Sequence, residues 1–205
     1  EVHNFSTEFQ WFDYIKPDES ARKNFLEQIK YEKANSGCDV LILSLHTSEP
    51  EYELSIAEKS KNFYYSIINS GVDILWVNHP HVPKEWEIIH TADNKQKTIF
   101  YSVGNTVSSQ RRNPDFLKPD SRKEFKGDSF LFSVKIKKAS DGMMVGTPEP
   151  TLITTYIKDG KDFVTKKLDD NLIQSLKEEG NDKWAYYLSE RKKALSKIKG
   201  KDTWQ

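Results

Sequence analysis

The sequence predicts an α/β chain of the α+β kind, in which a parallel β-α-β unit is followed by mostly antiparallel strands. Three observations predict it. Two continuous apolar runs of strand length, "CDVLILSLH" and "VDILWVN", each follow a helical pattern that closes on a glycine. From Glu85 onward the apolar residues instead fall in short alternating runs parted by "ADNKQ", "SDG" and "KDGKD", the marks of hairpins. Finally, a hydrophobic share of 36% that includes five Trp, nine Tyr and eleven Phe supplies bulky side chains for a core, so the chain is globular rather than a disordered tail.

Taken in order, "DESARKNFLEQIKYEKANSG" begins with Asp18 as N-cap, carries acidic residues in its first turn and sets Phe25, Leu26 and Ile29 on one face before Gly37, which is a helix. "CDVLILSLH" is apolar at nearly every position, the pattern of a central strand covered on both faces, and it delivers His46 at its C-terminal end. A second helix across "LSIAEKSKNFYYSIINSG" closes at Gly71 and returns the chain to "VDILWVN", completing a crossover between parallel strands. "EWEIIH", "KTIFYSVGN", "DSFLFSVKIKKA", "TLITTYIKDG" and "DFVTKKL" then read as antiparallel strands. From Asp169 the chain turns helical and basic. The expected organisation is therefore a domain over residues 1–168 and a basic helical extension over 169–205.

Lys+Arg and Asp+Glu balance at 31 each, so no global field draws nucleic acid, which is not expected as a partner. Cys38 is the lone cysteine, which excludes an internal disulfide and a thiolate zinc site. No apolar run approaches the roughly 18 residues of a membrane span. The chain opens on Glu1 rather than Met, and is read as a processed product or an excised piece of a longer protein.

In open α/β sheets ligands gather beyond the carboxyl ends of the strands, and His46, His79 and His81 all fall there. Neutral imidazoles from neighbouring strand ends can share one metal, whereas a single strand-end histidine more often hydrogen-bonds locally. Of Glu49, Glu51 and Glu53 in the following loop, Glu51 is the one favoured as a general acid or metal-bridging carboxylate, and the others are expected to be solvated. Arg111 and Arg112, just beyond "YSVGN", could hold a phosphate or carboxylate, against the ordinary reading of surface arginines. Ser44, Ser48 and Ser102 lie near histidines, but no Gly-x-Ser-x-Gly elbow accompanies them. The basic tail from Arg191 to Lys201 could meet anionic polymer or lipid headgroups, although a solvated amphipathic helix is the simpler reading.

"CDVLILSLHTSEPEY", "INSGVDILWVNHPHVPKEWEII" and "KTIFYSVGN", in this order and spacing, resemble the CapA family of capsule and poly-gamma-glutamate biosynthesis proteins. That family has a calcineurin-like metallophosphatase fold, an αββα sandwich. The familiar forms are a strand ending in His-Trp-Gly with Glu-Tyr after it, a helix leading into "GADLVIGHHPH", and "YSLGNF". This chain departs from them at Thr47 and Ser48, where the family has Trp-Gly, and at Val77 and Asn78, where it has Gly-His; Glu51 and Tyr52 sit one residue late.

The resemblance implies that His46, His79 and His81 are metal ligands at the reacting centre and that Asn105 helps shape the pocket floor; Glu51 is a further catalytic candidate, and Asn78, Arg111 and Arg112 further substrate-binding candidates, by their positions near that centre. The implied ion is a divalent transition metal, Mn, Fe or Zn. The implied function is capsule or poly-gamma-glutamate synthesis or export, with hydrolysis of a phosphoester or related bond; the alternative is a non-catalytic binding or scaffold component of envelope polymer assembly. Implied partners are an anionic polymer or phosphoester and other polymer-synthesis components. The family's Gly-Asp, Asn-Leu-Glu and Asn-Asn-His segments do not occur before His46, and "EVHNFSTEFQWF" looks like the part that follows them. The chain thus resembles the C-terminal half of the domain, with the upstream half as a further partner. A cell-envelope or extracytoplasmic location, held to the membrane by a segment outside this chain, is expected.

Overall fold

The computed structural model describes residues 18–93, 95–139 and 142–204. The reading of "EVHNFSTEFQWF" lies outside the described residues. The elements in chain order are α1 (Glu19–Asn35), β1 (Ile42–His46), α2 (Glu58–Asn69), β2 (Ile74–Asn78), β3 (Trp86–His90), β4 (Gln96–Phe100), a 3-10 turn (Arg122–Gly127), β5 (Asp128–Ser133), β6 (Ile136–Ala139), β7 (Gly142–Val145), β8 (Glu149–Lys158), β9 (Asp162–Lys167), α3 (Asp170–Glu178), α4 (Asp182–Leu195) and β10 (Gly200–Trp204). Asp18 caps α1 as its sequence predicts, accepting from the Ser20 amide at 3.0 Å.

Among the described residues one sheet runs in the order β1-β2-β4-β3-β10, a second in the order β5-β8-β9, and β6 and β7 form a hairpin. β1 and β2 pair in parallel, as do β2 and β4, while β3 and β4 form the antiparallel hairpin that "ADNKQ" announced. The period of two along the strands sorts the core into two layers. Leu43, Leu75, Val77, Ile89 and Ile99 meet Phe25, Ile29, Tyr64 and Ile67 of α1 and α2 on one side. Ile74, Trp86, Ile88 and Phe100 meet Phe130 and Tyr156 of the second sheet, with Trp184 and Leu188 of α4, on the other. Helices, sheet, then sheet with helices is the layered α+β arrangement the sequence predicts.

Two expectations are corrected. β1 is not a central strand: it lies at the edge of the described sheet, with Ile42 52% exposed. Its apolar run covers both faces, but helices lie over one of them only. Nor is 169–205 an appendage. Trp184, Tyr187, Leu188 and Leu195 recur at helical spacing and are buried in the shared core, and β10 pairs in parallel with β3. Gly200 makes that pairing possible, since a Cβ there would collide with the Trp86 indole.

Candidate metal centre

Parallel pairing sets His46 level with Asn78, and the Thr47 amide donates to the Asn78 carbonyl at 3.2 Å. The chain therefore leaves β1 and β2 side by side, and the next residues of β2 are His79, Pro80 and His81. Both histidines hold left-handed backbone, φ 112° at His79 and φ 60° at His81, which side chains other than glycine's adopt at a cost of about 1–3 kcal/mol each. Such strain persists where the surroundings over-determine it, and here it turns both imidazoles to one side.

His46 Nε2 lies 3.1 Å from His79 Nδ1, with the rings edge to face, and the His79 and His81 ring centres are 5.7 Å apart. Glu51 joins His79 and His81: one carboxylate oxygen and one nitrogen each of His79 and His81 all lie within 4.8 Å of one another, a group that leaves out His46, which touches it through His79. Glu51 Oε1 is 4.0 Å from His81 Nε2. The other His81 nitrogen is held from behind. Asn105 spends both amide hydrogens on the Gln110 side-chain oxygen and the Lys126 carbonyl, each at 2.8 Å, so its Oδ1 accepts from His81 Nδ1 at 2.9 Å. In the neutral ring a hydrogen on Nδ1 puts the lone pair on Nε2, the nitrogen toward Glu51, which is the tautomer a metal ligand uses.

The loop carrying Glu51 is fastened at several points. The Tyr52 amide donates to the Pro80 carbonyl at 2.8 Å, and the Tyr52 ring lies over His81 with centroids 5.9 Å apart. Burial, then the neighbouring Glu51 charge, raises the Tyr52 phenol above its ordinary pKa. Arg122 pairs with Glu53 and donates to the Tyr52 carbonyl at 3.3 Å. That guanidinium, followed by the amide and hydroxyl of Ser55, holds Glu53 down at about 2. Glu49, expected to be solvated, is buried at 7% exposure against Lys84 and Tyr64.

The remaining candidates are distributed unevenly. Asn78 is partly exposed beside the cluster, but its amide donates to Ser44 Oγ at 3.0 Å and its oxygen accepts from the Trp76 indole at 3.1 Å. Arg112 is exposed. Arg111 corrects the expectation of a ligand-binding guanidinium: it is 0% exposed and pairs with Asp128 at 2.8 Å beneath the second sheet. The guanidinium that does approach the Glu51 loop is Arg122, together with the Lys84 ammonium, and the sequence singled out neither. Gly127 makes room for Arg111, since a Cβ there would overlap the guanidinium.

The donor set suits a divalent transition metal. Imidazole and carboxylate ligands bind zinc, manganese or iron at about 2.0–2.2 Å, so donors around one ion stand roughly 3–4.4 Å apart, and the 4.8 Å span closes with small side-chain rotations. Cys38 is remote from the cluster, preceding β1.

The family described as "Bacterial capsule synthesis protein PGA_cap" matches residues 3–110, more than half of the chain, and the match spans His46, Glu51, His79, His81 and Asn105. The capsule biosynthesis protein CapA of Bacillus anthracis is 30% identical over 87 residues, which cover 42% of this chain and 20% of that protein. The chain thus spans about a fifth of the length of that relative.

Proposed function

The chain belongs to the bacterial capsule synthesis protein family PGA_cap, and from that premise we propose that His46, His79, His81 and Glu51 form a metal site acting on a phosphoester or related bond of an anionic envelope polymer. The observation that carries the reading is the convergence of Glu51, His79 and His81 at the ends of neighbouring parallel strands, with Asn105 fixing the His81 tautomer. A divalent ion held there supplies Lewis-acid polarisation of a phosphoryl or carbonyl oxygen and acidifies water. The chain's own groups do the rest. His79 and His81 hold the ion, and His46, at 3.1 Å from His79, either completes the set or orients that ring. Glu51, half exposed at the rim, would give one carboxylate oxygen to the ion and leave the other to accept a proton from water.

Three imidazoles and one carboxylate suffice for one ion, whereas two-ion hydrolytic centres use further carboxylates to bridge. We therefore expect the 205-residue chain alone to bind about one manganese or zinc ion and to turn over p-nitrophenyl phosphate weakly or not at all. A longer protein carrying the family's Gly-Asp and Asn-Asn-His segments should bind more metal and gain activity. Robust turnover by the 205-residue chain, abolished by His79→Ala, would show that the site is already complete here.

A second reading, a non-catalytic component that binds the polymer, is supported by a groove of about 280 Å³ lined by Leu54, Pro83, Lys84, Glu85 and the run Lys197 to Lys201, where Lys84 is paired with Glu49 and Lys201 with Glu85 at 2.5 Å, so that Lys197 and Lys199 carry the excess positive charge. Under it, a polyanion binds equally well after His79→Ala and is lost when Lys197, Lys199 and Lys201 become Gln. Either reading is consistent with association with the cell envelope, which the capsule family suggests. Among the described residues no helix is long and apolar enough to cross a membrane.

A further inference from the structure

Lys84 is among the least accessible charged residues of the chain, at 2% exposure, although it follows the solvent-facing histidine turn by only three residues. Its Nζ donates to Glu49 Oε2 at 2.6 Å and to the Ser55 carbonyl at 3.0 Å. The second Glu49 oxygen accepts from the Tyr64 hydroxyl at 2.5 Å. One ammonium therefore grips both ends of the segment from Glu49 to Ser55, and Glu51 stands between those two grips.

We propose that Lys84 is a positioning residue for the metal site: by bracketing Glu49 and Ser55 it holds the Glu51 carboxylate within reach of His79 and His81. The proposal rests on the metal-site reading above. Geometry distinguishes it from a merely stabilising pair. A buried ion pair is often no better for stability than apolar side chains of similar volume, so the pair's worth lies in the conformation it fixes. The conformation here is that of a loop crossing from β1 to α2 with an exposed apex; Lys84 draws it against the same His-Pro-His segment that supplies the other ligands. Tyr52, bonded through its amide to Pro80, fastens the apex from the other side.

The test is a thermodynamic cycle read by cobalt(II) titration of the full chain, with affinity and the visible absorption band as readouts. The double variant Glu49→Leu with Lys84→Met removes both charges together and so leaves neither buried alone. Glu51→Gln is expected to weaken cobalt binding about tenfold, the double variant to weaken it similarly, and the triple variant to lose little beyond either. Losses that multiply in the triple variant, or unchanged affinity in the double variant, overturn the proposal, because Lys84 then acts independently of Glu51 or not at all. If the unaltered chain binds no cobalt, or His79→Ala leaves binding unchanged, the metal reading itself fails and this inference falls with it. Should the double variant not fold, as judged by its urea unfolding curve, Tyr64→Phe loosens Glu49 without unpairing a charge. A smaller loss that vanishes in a Glu51→Gln background supports the proposal, and no loss overturns it.

Discussion

Asn105 decides which nitrogen of His81 faces the cluster. Because its amide hydrogens are committed to Gln110 and Lys126, only its oxygen is left for the imidazole, and replacing it with Leu removes the acceptor that fixes the ring. Asn105→Leu should lower metal affinity about 10–100-fold while leaving the far-ultraviolet circular dichroism unchanged, as measured by calorimetric titration. The positions of His46, His79 and His81 were legible in the sequence because strand ends follow from apolar periodicity, and Glu51 because it sits in a motif beside a strand end. Lys84 and Arg122 were not legible: their partners stand 35 and 70 residues away in sequence, and a long-range pairing leaves no periodic trace. Arg111 was misplaced for the same reason, since nothing local says whether an arginine after "YSVGN" turns outward or passes beneath the next sheet.

At the scale of elements, the C-terminal strand is the informative case. β10 reads poorly as a strand because "GKDTW" offers a single large apolar residue, Trp204, which is itself 78% exposed and stacks on His90. Its placement depends on polar bonds to β3. Glu87 of β3 is buried and accepts from Tyr65 of α2 at 2.5 Å, from Tyr101 at 2.7 Å and from Thr203 of β10. Burial alone would raise its pKa, but the three hydroxyls and Lys61 together bring it below the ordinary carboxylate value. A carboxylate depressed in the folded state contributes stability that is complete above its unfolded value, near 4.3, and lost as pH falls through the folded value. The gap in urea midpoint between the natural chain and Glu87→Gln should therefore be widest at pH 6–7 and narrow below about pH 4. A gap that stays constant across that range would mean the carboxylate charge is not what Tyr65, Tyr101 and Thr203 recognise.

Across the whole molecule, a buried charge cluster joins the parts that the sequence separates. Asp128 of β5 accepts from Arg191 of α4 at 2.8 Å and pairs with Arg111 at 2.8 Å, while Arg191 also donates to the Pro119 carbonyl. Asp128→Asn would leave two buried guanidiniums short of their counter-ion, at a cost of about 3–5 kcal/mol measurable by urea unfolding. By the same logic, removal of residues 190–205 takes Arg191, Leu195 and β10 out of the core, so it should unfold the chain rather than merely abolish binding by a basic tail. The layered arrangement was legible because continuous and alternating apolar runs differ in kind. The joining of its last segment was harder to see, because the apolar stripe of α4, Trp184, Tyr187, Leu188 and Leu195, is interleaved with charged residues, and the ions and hydrogen bonds that complete the joining link residues far apart in sequence.

The central claim is that the strand-end histidines hold a metal, and metal stoichiometry tests it most directly. The full chain, equilibrated with manganese or zinc, freed of excess ion by gel filtration and analysed by mass spectrometry, should retain about one ion per chain. His79→Ala should retain none while showing the same circular dichroism. Retention of no ion by the natural chain, or of the same amount after His79→Ala, would contradict the claim.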